Sequence, residues 1–477
     1  MTDSHKRGSR MILVAATLLV VAGCTVGPDY KKPATRVPEA FAGGTSSTGE
    51  RLPNAWWTLL GDPVLNDLVR QALQSSPDLA VAETRVRQAR AVRGIVGAAE
   101  LPDVNAGGFY ARSLGSTNVP VGVPPGGLGP GIKTNLWQAG FDASWELDVF
   151  GGQRRQRESA DASYEAALAD QDAAQLVIVA EIARNEVELR AAQARLAVAQ
   201  DNLTAARDVA GLTRSLSDAG LRSRLDLIRS DATVAGLEAD IPKIETQIYQ
   251  RIFSLGALVG EPPEELVAKL SQPEPIPHGP DSVPVGIPSD LLKRRPDIRA
   301  AEERIHAAQA TIGAVKADLF PHFFLTGGTG LETGHSTTLL NIDSGYYTVG
   351  PGIRWSLFDA GKIRYRMRIA EAQTDADTAA YRRLVLQALS DVETAFVTLG
   401  REQIRHKALV DQVAEESAAL ALAERLYKEG VEGYLPVLQS QRDLYAAQQG
   451  LVASEEDTST ALIALFKSLG GGWSPPS

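Results

Sequence analysis

One thiol, six imidazoles and a spread of carboxylates are the groups with which this 477-residue chain could do chemistry. The histidines stand at 5, 278, 306, 322, 335 and 406, with no spacing that sets two imidazoles on one metal ion. The thiol is Cys24, and a lone cysteine can neither close an intramolecular disulfide nor supply a Cys-x-x-Cys zinc pair. Gly327-Gly328-Thr329-Gly330 lacks the spacing that cradles a phosphate, and it falls in a strand pattern rather than before a helix. The residues thus argue against an enzyme and give no support to a cofactor or metal site. A formal charge of -10 with no long Lys/Arg run removes the electrostatic footprint of nucleic-acid binding.

The position of Cys24 supplies the one clear piece of chemistry. His5, Lys6, Arg7 and Arg10 precede an apolar run from Met11 to Val21, and Ala22-Gly23-Cys24 follows. That is a secretory signal over 1–23, with an apolar stretch too short to span a bilayer. Val21-Ala22-Gly23-Cys24 resembles a bacterial lipoprotein box, in which Cys24 becomes the first residue of the mature chain and carries diacylglycerol and an N-acyl chain. Such lipid tethers at roughly 0.8 kcal/mol per buried CH2. The alternative is an ordinary signal with an incidental cysteine. Thr25 follows where an aspartate would favour retention at the inner membrane, so the resemblance points to the outer one. Beyond residue 25 no run approaches the roughly 20 apolar residues of a spanning helix, so any crossing is made by strands.

The elements that must position these groups come in two sets. Ser76-Pro77-Asp78-Leu79 recurs as Arg295-Pro296-Asp297-Ile298, and Arg85, Gly94 and Pro102 recur as Arg304, Gly313 and Pro321, at an offset of 219 positions. Trp145, Gly151, Gly220 and Leu225 then match Trp355, Gly361, Gly430 and Leu435 at an offset of 210. The halves read as copies, and the extra residues of the first fall in the Pro/Gly-rich stretch Ser116 to Lys133, where a loop tip tolerates length. The organisation expected is a lipid-anchored segment 24–61, a first repeat 62–260, an irregular Pro-rich connector 261–288, a second repeat 289–470 and a tail 471–477.

Within each copy the apolar period changes. Helical spacing ends near Ala99, ahead of Leu101-Pro102. From Trp137 to Leu147 the period is two, with Trp137, Phe141, Trp145 and Leu147 on one face and Gln138, Asp142 and Glu146 on the other. Tyr347 to Leu357 repeats this, blemished by Pro351, and partner strands fit Val104 to Ala111 and His322 to Leu331. Each copy therefore contributes a hairpin. Proline-free helical stretches follow, from Gly152 to about Leu212 and from Gly361 to about Lys428. Ile182, Leu189, Leu196 and Leu203 recur at seven, with Ala192, Ala199 and Ala206 three after the leucines, as a coiled-coil seam requires. Glycines (Gly220; Gly430 and Gly433) break these helices before a second one, from Ser223 to about Leu258 and from Tyr434 to Leu469, with a kink expected at Pro242.

Four strands with one apolar face cannot close a barrel alone, because about eight are the practical minimum. The chain must share its barrel: two copies would give eight strands with a filled interior, and three would give twelve around a water-filled lumen. Trp137, Trp145, Tyr347 and Trp355 suit a lipid-facing or interfacial band, the alternative being packing against neighbouring helices.

Four features together resemble the TolC-like outer-membrane factor family, in its efflux lipoprotein (NodT-type) branch. They are Cys24-Thr25-Val26-Gly27-Pro28-Asp29-Tyr30, the pair Trp56-Trp57 ahead of Gly61-Asp62-Pro63, Arg294-Arg295-Pro296-Asp297-Ile298, and Leu357-Phe358-Asp359-Ala360-Gly361 with Arg364 following. The resemblance covers nearly the whole chain. It implies a mainly α fold with a transmembrane β-barrel portion: a homotrimer with a twelve-stranded outer-membrane barrel, a long periplasmic α-helical barrel and an equatorial belt. It also implies the exit duct of a tripartite efflux pump in a Gram-negative outer membrane, docking to a periplasmic adaptor protein and an inner-membrane transporter and touching outer-membrane lipid. The other class to weigh is a lipid-anchored coiled-coil structural or adhesion protein, which would have no use for the strands.

The same resemblance marks the helix tips, Ala219 to Arg229 and Glu429 to Gln439, as gate and docking candidates. Asp226 and Tyr427 match positions of a lock between neighbouring helices, and a hydrogen bond between them is the expectation, against mere helix capping by Asp226. Pro436 and Gln439 stand where many relatives carry pore-ringing aspartates, which speaks against an acidic constriction; Leu435 is a candidate steric one, or a packing residue. Arg222, Arg224 and Arg229 could pair with Glu429 and Glu432. Asp359, with Gly361 and Arg364, is placed to cap the helix that follows the last strand, and Asp148 before Gly151 and Arg154 to act similarly in the first copy. The cargo, whether drugs, metals, other small molecules or polypeptides, is not written in these residues.

Overall fold

A computed structural model describes residues 25–41, 53–118, 131–280, 283 and 288–471. Cys24 and most of the Pro/Gly-rich hairpin loop lie outside the described residues. A short 3-10 turn (Trp56–Leu60) leads into α1 (Pro63–Ser75), α2 (Pro77–Ala98), β1 (Asp103–Leu114), β2 (Lys133–Leu147), α3 (Gly152–Asp218) and α4 (Arg224–Val259). Then come α5 (Pro263–Leu270), α6 (Pro288–Arg294), α7 (Pro296–Ala317), β3 (His322–Thr333), β4 (Gly345–Arg354), α8 (Lys362–Lys428) and α9 (Tyr434–Ser468). The connector expected to be irregular holds α5, because Pro263 stands at the first helical position and Glu264 and Glu265 fill the first turn.

The chain divides into two compact units. The first takes in the described residues up to Pro33 with Arg87–Ala166 and Ala301–Ala380. It contains one antiparallel sheet, in the order β1-β2-β3-β4. The last strand ends at Arg354 rather than Leu357. Arg354 pairs with His322, and the residue before His322 is Pro321, which has no N–H to extend the ladder. Beyond that point the indole of Trp355 donates to the Leu319 carbonyl at 3.1 Å, and the indole of Trp145 donates to the Glu100 carbonyl at 2.9 Å. These two tryptophans pin strand ends to the turns after α7 and α2.

The second unit comprises Ala34–Val86, Ala167–Ala300 and Tyr381 onward. Its α3 segment buries Ile182, Leu189, Ala192, Ala199, Leu203 and Ala206 of the expected seam, while Leu196 is half-buried. The 3-10 turn ends at Gly61, left-handed at φ 68°; Asp62 Oδ1 then accepts from the N–H groups of Val64 and Leu65 at 2.7 and 3.1 Å, and Pro63 opens α1. Trp56 stacks on Phe466 with ring centroids 5.1 Å apart, both fully buried beside Leu65, Leu68 and Leu465. Burial of each such aromatic contributes roughly 2–3 kcal/mol. Arg295 anchors the start of α7, holding Asp297 at 2.7 Å while Asp297 accepts from the Ile298 N–H at 2.9 Å. Helix α4 continues through Pro242, and the Thr246 hydroxyl donates to the Pro242 carbonyl at 2.8 Å.

Candidate membrane wall, N-terminal strap and helix tips

The strand register sorts every side chain of the sheet to one of two faces. Cross-strand partners point the same way. The pairs Val104↔Ala143, Tyr110↔Trp137, Phe141↔Thr329, Leu147↔Phe323 and Phe323↔Ile353 therefore place an apolar, aromatic surface on one side. The pairs Asp103↔Ser144, Asn105↔Asp142, Glu146↔Phe324 and His322↔Arg354 place a polar one on the other. The apolar face is bare: Phe141 is 60% exposed, Val349 72% and Ile353 69%. An exposed patch of this kind marks a surface made to meet lipid or protein. Strands β1 and β4 are the sheet's edges within the chain, each with a row of N–H and C=O groups open to a further strand.

On the polar face Gln138 donates to the Tyr346 hydroxyl at 2.7 Å, and His322 Nδ1 lies 2.6 Å from Glu146 Oε1. Where strand gives way to helix, both halves use a carboxylate. Asp148 Oδ2 accepts from the Arg154 N–H at 2.9 Å and from its guanidinium at 3.2 Å. Asp359 accepts from the N–H groups of Gly361 and Ile363 at 2.8 and 2.7 Å, so the chain passes through left-handed Ala360 and Gly361 and enters α8 capped. Those backbone N–H groups, with Arg364 nearby, hold the Asp359 carboxyl below its usual range.

Directly after Cys24 a strap, Thr25 to Lys32, lies along α3 and α7. Thr25 rests on Gly151, and the Val26 N–H donates to the Phe150 carbonyl at 3.1 Å. Gly27, at φ 108°, meets Gly313 back to back, and a Cβ added to Gly27 would run into the Gly313 backbone. Arg155, nearly buried, bonds Asp29 and Glu158, each at 2.6 Å. Burial pushes its guanidinium down, but the two carboxylates outweigh that and hold it above its ordinary value. Tyr30 stacks on His306 at 4.3 Å and donates to Glu302, which also pairs with Lys32 at 2.7 Å. The strap thus fixes where the residue after the thiol sits.

At the tips both long helices end in the same way. Gly220 and Gly430 are left-handed, and the Leu221 and Val431 N–H groups reach back to the Leu216 and Leu426 carbonyls, each at 2.9 Å. The lock expected between Asp226 and Tyr427 is not the contact found. The buried Tyr427 hydroxyl donates to Thr213 Oγ1 at 3.2 Å, because the ring is turned toward α3. Asp226 sits in the first turn of α4, which Ser223 caps through the Leu225 N–H. Arg222 serves neither Glu429 nor Glu432: it donates to the Tyr427 carbonyl at 3.0 Å and lies over the Tyr427 ring at 4.6 Å from its centroid. Tyr434 is buried 5.8 Å from that ring, and burial raises its hydroxyl's pKa. Leu435 and Gln439 are exposed on α9, the former by 49%.

Thr213, Gly27 and Gly313 escaped the sequence reading as contact partners, and Arg222 was expected to pair with Glu429 or Glu432 rather than Tyr427. A threonine inside a long helix and two glycines distant in sequence leave no local signal. Among the described residues no group of three or more His, Cys, Asp or Glu side chains could hold a metal ion, and no helix is long and apolar enough to cross a membrane.

A sheet with one bare apolar face and two open strand edges, carried together with very long helices, fits an outer-membrane channel. The profile of the outer membrane efflux protein family matches residues 68–261 and again 287–471. Nodulation protein T of Rhizobium leguminosarum bv. trifolii is 31% identical over 459 residues, covering 96% of both chains. The pyoverdine export outer membrane protein OpmQ of Pseudomonas putida is 34% identical over 452 residues, covering 92% of this chain and 93% of its own. The solved outer-membrane channel OprN superposes with a TM-score of 0.88 at 36% identity, over 95% of this chain and all of its own. The chain belongs to the outer membrane efflux protein family, and its function is that of an outer-membrane efflux channel.

Proposed function

We propose that three copies join β1 to β4 into a twelve-stranded barrel, and that the resulting homotrimer is the exit duct of a tripartite efflux pump. Its partners in this reading are a periplasmic adaptor and an inner-membrane transporter, with the helices forming a periplasmic α-helical barrel that Arg222, Tyr427, Asp226, Leu435 and Gln439 close at the tips. One observation carries the reading: an exposed apolar sheet face backed by a polar one, with two open edges. Four strands are too few to close on themselves, and twelve leave a lumen. The double match of the family profile supports an internal duplication, as do the twin Trp145 and Trp355 anchors. The expected segments (24–61, 62–260, 261–288, 289–470 and 471–477) follow from it. Lipid on Cys24, inserted from the periplasmic side into the inner leaflet of the outer membrane, completes the anchor in this reading. The cargo is a small molecule selected by the partners.

Purified protein should run as a heat-sensitive trimer and form ion-conducting pores in planar bilayers. Deletion should sensitise cells in a panel of drugs and metals, and an adaptor should co-purify. A monomer with no conductance would overturn the duct and favour a lipid-anchored coiled-coil scaffold.

A further inference from the structure

One buried cluster in the second unit belongs to neither wall, strap nor tips. Glu186 and Arg190, one turn apart on α3, are 0% and 1% exposed, with Arg190 Nε donating to Glu186 Oε1 at 2.7 Å. Arg190 Nη1 also donates to Gln193 Oε1 at 2.9 Å and to the Gln272 carbonyl at 2.7 Å. Gln193 Nε2 in turn donates to the Leu270 carbonyl at 2.8 Å. Two side chains of one helix, with Glu186 holding one of them, therefore grip the backbone where α5 ends and the connector begins. Carbonyls at a helix C-terminus need such donors when they are buried.

The grip is unfinished at one atom. Glu186 Oε2 is buried and accepts no hydrogen bond from the described residues. The charges that face this carboxyl are Arg190 on its own helix, Asp62 at the start of α1 and Lys269 on α5. Burial pushes the carboxyl up to about 7, with Asp62 adding to the push and Arg190 and Lys269 opposing it. An ionised oxygen without a donor is costly to bury, and taking up a proton from solvent removes that cost. Arg190 reaches Glu186 through Nε and Gln193 and Gln272 through Nη1, so a neutral Glu186 leaves that hold on the backbone in place.

We propose that Glu186 is a proton-operated clamp: neutral, it lets α3 hold the Leu270–Gln272 backbone tightly, and ionised, it loosens that hold on the connector. The sign follows from linkage. A carboxyl whose folded value is raised gives stability that is fully present below its ordinary value of 4.5 and is lost as pH rises through about 7.

The test is hydrogen exchange on the full-length purified protein in detergent, reading amides of residues 266–272 as protection factors at pH 5.5 and 8.5. If opening exposes Glu186, wild-type protection is about thirty-fold greater at pH 5.5. Glu186→Gln, a permanently uncharged mimic, should show the same protection at both pH values, and Glu186→Met serves if the amide variant does not accumulate. Equal wild-type protection at the two pH values overturns the clamp whatever the variants do. A variant that keeps the wild-type difference overturns it as well.

Discussion

Replacing Arg222 by alanine should unlatch the helix tips more than any change at Asp226. Its guanidinium makes two contacts with one residue, a hydrogen bond to the Tyr427 carbonyl at 3.0 Å and a stack 4.6 Å above the ring. A hydrogen bond involving a charged group contributes about 1.5–3 kcal/mol, and a cation over an aromatic face in a partly exposed setting about 0.5–1. Water recovers part of this when the side chain is freed, so the net loss is about 2 kcal/mol. That is a shift of roughly 25-fold from closed toward open. Tyr427→Phe removes only the hydroxyl. Thr213 keeps its bond to the Val209 carbonyl, so the cost is about 1 kcal/mol and Arg222 retains both contacts. The assay is single-channel recording in planar bilayers, with open fraction and conductance compared across Arg222→Ala, Tyr427→Phe, Asp226→Ala and the Arg222/Tyr427 double variant. Because Arg222 lies on the Tyr427 ring, the double variant should depart from the sum of the two single effects by about 0.5 kcal/mol or more. If Arg222→Ala conducts as the wild type does while Asp226→Ala opens the pore, the latch read from these distances is wrong.

Gly27→Ala should unseat the strap, since left-handed φ and collision with Gly313 act together; trypsin cleavage after Lys31 of the folded protein should then be at least about tenfold faster. Asp359→Ala should lower the thermal midpoint near neutral pH. Because the folded carboxyl is held below its usual range, its contribution is present above that range and lost only as pH falls through the lower folded value, so circular-dichroism melts of the two proteins should converge at the acid end. The polar face carries Asp103, Asp142, Glu146 and Glu332 against Arg354, so reversal potentials should show a preference for cations. Asp142→Asn should roughly halve that preference, and an anion-selective wild type would mean that this face does not line the lumen.

What could be read from the residues was whatever a short window encodes. Period-two alternation from Trp137 to Leu147 located a strand and both of its faces, and Pro102, Gly220 and Gly430 located element ends within a few residues. The carboxylate of Asp359 was readable as a cap because its partners are two and four positions away. Arg222 and Tyr427 are separated by 205 positions, and the choice between Tyr427 and nearby Glu429 or Glu432 depends on how two helix ends face each other. Helix phase decides that, and one residue of rotation changes the answer. The Glu186 cluster was hidden for a related reason: a Glu and an Arg four apart look like an ordinary surface pair until the connector covers them.

The places where the two halves agree and disagree divide the molecule by task. At an offset of 210 positions Trp145 and Trp355 make the same bond to a preceding turn, and Gly220 and Gly430 make the same helix end. These are contacts that any copy needs in order to join a strand to a helix and to turn a helix back. The tip latch has no such twin. Arg222 corresponds to Glu432, Tyr427 to Ser217 and Thr213 to Ala423, so exchanging the halves leaves no arginine over a tyrosine. A contact present once per chain closes one hairpin onto the other in a single direction, whereas a symmetric pair would hold each hairpin equally and give no preferred order of release. Divergence of the tips on a matched scaffold fits the closable duct proposed above, and it predicts that grafting Arg onto Glu432 leaves the closed state unchanged unless Ser217 is also made aromatic.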